Sequence, residues 1–291
     1  AVNTFTGLTS VNAGTLTLSG GNALPDGSAI TVSAAGMLKL ANSEAVGGLD
    51  GSGTVNLQNN VLTIGGGSST TFSGAIIGTG GSLVKTGSAT LTLSGVNTFT
   101  AGVTLNQGTI QLGNNQAFGI GALLMSGGRV SSDSATARSL SNALTLSGTL
   151  GFGSVSNAGT LTLGGAVTLA SNVALTVDSA VALNGVVSGA FGFNKAGAGE
   201  LTLAGVNTFT GTTTVSGGML TLSGGTAIAN TAALIVGSAG TLRLASAEEI
   251  GSLAGTGSVN LQSNTLTVGG IASTTFGGVI SGTSGSLWKT G

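Results

Sequence analysis

Short segments that alternate apolar with polar residues recur along the whole chain: TLTLS at 15–19, MLKLA at 37–41, TVNLQ at 54–58, TLTLS at 90–94, TIQLG at 109–113, TLTLG at 160–164, ELTLA at 200–204 and MLTLS at 219–223. A period of two puts alternate side chains on opposite faces of a strand, so each segment predicts a half-buried β-strand. Leu16 and Leu18 then point inward while Thr15 and Thr17 face out. Leu91, Leu93, Leu201, Leu203, Leu220 and Leu222 take the same inward places. Thr and Val suit the pleated surface, and glycines flank most segments, where the backbone must turn. No 3.6-residue apolar stripe with caps is present, which predicts almost no helix.

Like segments follow one another at intervals of roughly 17 to 22 residues, the length of one coil of a β-solenoid with two or three short strands per turn. A single coil cannot bury its own apolar face, but stacked coils bury a continuous core. The fold class expected is therefore all-β: a parallel β-helix of roughly 14 coils, about 70 Å long at ~4.8 Å per coil.

A longer repeat overlies this beat. Displaced by 204 residues, Val2–Lys85 falls on Val206–Lys289 without a gap, and 49 of the 84 paired positions are identical. The stretch between is a longer, divergent copy. The chain thus reads as one continuous solenoid, 1–291, of three tandem units: 1–95, 96–205 and an incomplete 206–291. Each unit opens on one phrase: VNTFTG at 2–7, VNTFTA at 96–101 and VNTFTG at 206–211. Phe5, Phe99 and Phe209 are expected to point into the core. Asn3, Asn97 and Asn207 are expected at corners, where an Asn side chain can bond to the turn or to a neighbouring coil. Both chain ends read as interrupted copies, either cut from a longer array or stacking end to end.

Composition sharpens this reading. Glycine accounts for 55 of 291 residues and charged residues for only 5%, yet 41% are hydrophobic, enough to bury a core. The net charge of −1 and the lack of a basic patch leave nothing to neutralise phosphates, so no nucleic-acid partner is expected. No apolar run is long enough for a membrane span, so no membrane insertion by this segment is expected.

The stretch GSLVKTGSATLTLSGVNTFTAGVTLNQGTIQLG at 81–113 resembles the autotransporter-associated β-strand repeat of bacterial autotransporter passengers. FNKAGAGELTLAGVNTFTGTTTVSGGMLTLSG at 193–224 is similar to it, and a third copy is split between SLWKTG at 286–291 and VNTFTGLTSVNAGTLTLSG at 2–20. The resemblance implies a right-handed parallel β-helix. It also implies secretion through a Gram-negative outer membrane, for display at the cell surface or release, and a role in secretion and folding of a stalk.

Candidate chemistry is sparse. The acids are Asp26, Glu44, Asp50, Asp133, Asp178, Glu200, Glu248 and Glu249. Glycoside hydrolysis needs two carboxylates flanking one bond, but Asp26 and Asp50 become Asn230 and Ala254 in the second copy. Glu44 recurs as Glu248 and Lys39 as Arg243, which reads as a surface pair in each unit. Without His or Cys, His-based triads and most transition-metal sites are excluded. GGLDGSGTV at 47–55 lacks the register of a calcium-binding solenoid, and GTGGSLVKTG at 78–87 lacks the spacing and following helix of a phosphate loop. Its Lys85 recurs as Lys195 and Lys289, which reads as a coil-surface or ladder-edge residue. Lys39, Asn56 and Gln111 interrupt the outward Thr rows, which argues against an ice-binding array. Trp288, in place of Val84, is expected where one unit meets the next.

No catalytic, cofactor or metal site is expected, and the chain is read as a non-enzymatic extracellular stalk or filament of a Gram-negative bacterium. Its expected partners are other copies or repeats stacked head to tail, with cell surfaces and matrix glycans as further candidates. The alternatives are an adhesin stalk with its binding head elsewhere and a carbohydrate-active β-helix enzyme.

Overall fold

The computed structural model describes residues 3–291. Among them there is no helix, and the chain winds through about 14 turns of parallel β-solenoid. Val2, the first residue of the opening phrase, lies outside the described residues. Two compact units divide the chain, Ala1–Ala143 and Leu144–Gly291.

Three parallel ladders run through the first unit. Thr9–Leu18 pairs along its length with Ala29–Leu40, whose two halves then separate. The first half continues through Gly48–Gly51, Thr70–Phe72, Thr90–Leu93, Thr109–Leu112 and Arg129–Ser132. The second half continues through Thr54–Asn56 and Ala75–Ile77. The third ladder is Glu44–Val46, Val61–Ile64, Ser82–Lys85, Val103–Leu105 and Leu123–Met125. Coil length varies because turns absorb the difference: the step is 22 residues from Leu16 to Leu38, and 17 from Leu38 to Val55.

The second unit repeats the plan. One of its ladders runs through Leu161–Leu163, Val181–Leu183, Glu200–Leu203, Gly218–Leu222, Gly240–Leu244, Ser258–Asn260 and Val279–Ser281. In-register parallel pairing puts like above like. Leu161, Val181, Leu201, Leu220, Leu242 and Val259 form one buried column, and Leu163, Leu183, Leu203, Leu222 and Leu244 form another. Each such leucine removes apolar surface worth about 1.5–3 kcal/mol from water, and only a stack of coils can do so for every member.

Leu18, Leu91 and Leu93 are buried in the same manner. Leu16 is only half-buried, because its strand Thr9–Leu18 is paired among the described residues on one side alone. Phe99 and Phe209 are fully buried, and Phe209 meets Phe193 with ring centroids 5.7 Å apart. Phe5 departs from the inward expectation: it is 47% exposed, because no described coil covers the face that covers Phe209 elsewhere.

Candidate functional site

The polar residues of the repeated phrase do not line a cleft. They clamp coils together. Asn97 is buried; its Oδ1 accepts the Ile76 amide at 2.8 Å, and its Nδ2 donates to the Ala117 carbonyl at 2.7 Å. Asn207 does the same one unit on, accepting from the Val187 amide at 2.7 Å and donating to the Ala227 carbonyl at 2.8 Å. Each side chain therefore joins the coil before it to the coil after it. These backbone groups sit at a corner, where the sheet ladders lapse and another partner must be found. Asn3 is exposed and keeps only half of the pattern, donating to the Ala23 carbonyl at 2.7 Å.

The recurrent lysines correct the expectation of a surface residue. Lys85 and Lys195 are buried, because each occupies an inward-facing place in a ladder: Lys85 between Ile64 and Leu105, Lys195 between Leu175 and Val215. Burial is tolerable because glycine turns bring carbonyls to the ammonium group. Lys195 Nζ donates to Gly197 at 2.9 Å, to Gly217 in the next coil at 2.8 Å, and to Ala196 at 3.2 Å. Lys85 Nζ donates to Gly87 in the same way. Desolvation pushes Lys195 down to about 8, partly opposed by the charge of Asp178, and it lowers Lys85 as well. Gly218 completes the cage. Its φ is +63°, and a Cβ there would lie 2.7 Å from the lysine nitrogen and 2.4 Å from the Gly197 carbonyl.

The Glu44–Lys39 surface pair is likewise corrected. Glu44 is buried and accepts the Leu24 amide at 2.8 Å and the Ala23 amide at 3.1 Å. Glu248 accepts the Ile228 amide at 2.8 Å. Burial raises its pKa, against the Ile228 and Ala227 amides, which lower it. Arg243 pairs instead with Glu200, at 2.5 Å. The one signal in the sequence was that Glu44 survives duplication while Asp26 and Asp50 do not. A glutamate that ties two coils has a fixed job, and a solvated one does not.

The other acids are scattered. Asp50 accepts from the Thr71 amide, Asp133 pairs with Arg138 and Glu249 accepts from Asn230. Among the described residues no group of three or more acids could hold a metal ion. Two surface grooves of about 550 Å³ each, one along Asn56, Gln58, Thr79 and Thr98 and one along Asn172, Asn194 and Thr214, are walled by amides and hydroxyls without a carboxylate. Gln58 and its counterpart Gln262 have left-handed backbones, with φ of 57° and 53°. Each sits in a turn closed by an Asn two residues earlier, Asn56 or Asn260, whose Oδ1 accepts its amide at 3.0 Å.

The buried residues Asn97 and Lys85, and again Asn207, Lys195 and Gly218, fall inside segments that match a known family model. Three stretches of the chain match the model of the passenger-associated-transport-repeat. They are residues 1–18, 83–112 and 193–222, well under half of the chain. No curated protein and no solved structure matches the chain. In the two later copies Asn97, Asn207 and Lys195 tie one coil to the next, while Lys85 closes on the Gly87 carbonyl of its own coil. In the first copy Asn3 and Phe5 are exposed, and no described coil lies over them.

Proposed function

We propose that this chain is a structural segment of a secreted, surface-displayed Gram-negative protein: a β-solenoid stalk or filament whose task is mechanical. The observation that carries this reading is where the repeat's polar residues go. Asn97, Asn207 and Lys195 join coils and Lys85 closes its own glycine turn, so these buried groups are engaged by backbone rather than gathered for a substrate. The match to a passenger-associated-transport-repeat supports export. The low charge and continuous apolar columns support a protease-resistant, self-associating rod rather than a catalyst.

Negative-stain electron microscopy of the native material tests this. The expected result is filaments or stalks much longer than a single molecule. Only dispersed single particles, together with turnover of a polysaccharide, would overturn the structural reading in favour of a carbohydrate-active β-helix.

A further inference from the structure

We propose that the groove along Asn56, Gln58, Asn59, Ile77, Thr79 and Thr98 binds an uncharged polysaccharide in extended form, lying parallel to the solenoid axis. Its volume of about 550 Å³ is within the range of small-molecule sites, roughly 300–1,000 Å³. Two outward columns line it. Asn56 pairs with Ile77 in the ladder, and Thr98 follows one coil on, its amide donating to the Ile76 carbonyl at 2.9 Å. Gln58 and Thr79 stand beside them, each two residues further along its coil. Neighbouring coils are ~4.8 Å apart. That step is close to the length of one sugar ring in an extended β-linked chain, so each ring would meet one coil.

The polar groups of this groove are unspent. Among the described residues, the side-chain amides of Gln58 and Asn59 and the hydroxyls of Thr79 and Thr98 make no hydrogen bond to the protein. Of the Asn56 side chain only Oδ1 is engaged, by the Gln58 backbone amide at 3.0 Å. The second groove of this size differs. There Asn172 Oδ1 accepts the Gly192 amide at 3.0 Å and Asn194 Oδ1 accepts the Ser216 hydroxyl, so its amides already serve the coils. Half-buried Ile77 gives the first groove an apolar floor for the C–H face of a ring, and its amides, each both donor and acceptor, suit sugar hydroxyls. No charged side chain lines it, which favours an uncharged glycan; Lys39 pairs with Asn56 in the ladder but stands one coil outside the lining. No carboxylate lines it to act as the acid or base of glycoside hydrolysis, so the groove would hold the glycan without cutting it.

The backbone supports the same reading. At φ of 57° Gly or Asn is a less costly residue than Gln, yet Gln fills this place in both copies, at 58 and at 262. The bond from Asn56 fixes the turn, and Gly78 lets the next coil close against it: a Cβ on Gly78 would lie 2.7 Å from the Gln58 carbonyl oxygen. The arrangement recurs at Gly282, where a Cβ would lie 2.8 Å from the Gln262 carbonyl oxygen. A left-handed residue in a rigid turn aims its side chain in one direction, so the Gln58 amide is presented to the groove with little freedom left to lose on binding.

Titration of the isotope-labelled chain with cellohexaose, an extended β-glucan fragment, followed by NMR, tests this. At about 10 mM sugar a site with a Kd of about 1 mM is nearly full, and the shifts should gather on the side-chain amides of Asn56, Gln58 and Asn59 and the backbone amides of Thr79 and Thr98. Gln58→Gly separates binding from folding. It relieves the left-handed backbone and keeps the Asn56 bond, so it should melt close to wild type while affinity falls about 10-fold. Thr98→Val, at an exposed hydroxyl, should weaken binding several-fold without a change in melting. Shifts confined to other residues, no shifts at all, or full affinity in both variants would overturn the site. Equal binding of maltohexaose, whose α-linked chain curves, would overturn the extended fit. Tighter binding of hexagalacturonate, weakened by Lys39→Met, would overturn the uncharged class.

Discussion

Asn207→Ala separates a structural clamp from a merely repeated residue. The substitution removes an acceptor from the Val187 amide and a donor from the Ala227 carbonyl, at 2.7 and 2.8 Å, in a place where Asn207 is only 5% exposed. Alanine is too small for either task, and there is little room for water. An orphaned buried backbone group costs about 1–3 kcal/mol, so the pair should cost about 2–6 kcal/mol. Asn3→Ala is the matched control. Asn3 is exposed and makes one side-chain bond, to Ala23, which water can replace, so about 0.5 kcal/mol or less is expected. Solenoids unfold by segments, so one denaturation midpoint does not isolate the effect. Hydrogen exchange does, read at the amides of Glu200–Leu203 and Gly218–Leu222, two strands of the coils on either side of this corner. Exchange there should quicken at least about 30-fold in Asn207→Ala, the equivalent of 2 kcal/mol, and barely change in Asn3→Ala. Equal effects of the two substitutions, or an unchanged Asn207→Ala, would refute the clamp.

The lysine cage and its glycine make two more predictions. The pKa of Lys195 is depressed to about 8 in the folded chain from 10.5, so between those values the unfolded chain binds more protons. Stability should therefore rise as pH goes from 8 to 10.5, by at most about 3 kcal/mol. Lys195→Met should flatten that rise in urea midpoints, and an identical pH dependence in both proteins would contradict the buried placement. Gly218→Ala should destabilise by about 2 kcal/mol or more, from the left-handed backbone and the contact with the Gly197 carbonyl, whereas Gly217→Ala meets nothing closer than 3.7 Å and should melt close to wild type.

The strands, their parallel stacking and the coil length were legible in the sequence, because a period of two and a recurring spacing are local properties. Leu201, Leu203, Leu220 and Leu222 could be placed from the alternation alone, since a strand in a solenoid has one inner face whatever lies above or below it. The 204-residue duplication also showed which positions are equivalent. Equivalence, however, does not fix environment. Phe5, Phe99 and Phe209 are one residue in the repeat, yet Phe5 is open and the others are sealed, because burial in a solenoid depends on whether a described neighbouring coil covers the residue. Lys85, Lys195 and Glu44 look like surface residues to any rule based on charge. Only the tertiary structure shows that ladder register carries each lysine into an apolar column, where glycine carbonyls solvate it, from its own coil for Lys85 and from its own and the next coil for Lys195. It also shows a glutamate taking the acceptor role that an Asn fills at other corners. Periodicity determined which face each side chain takes. What waits on that face is set by residues about 20 positions away, and only the folded chain brings those together.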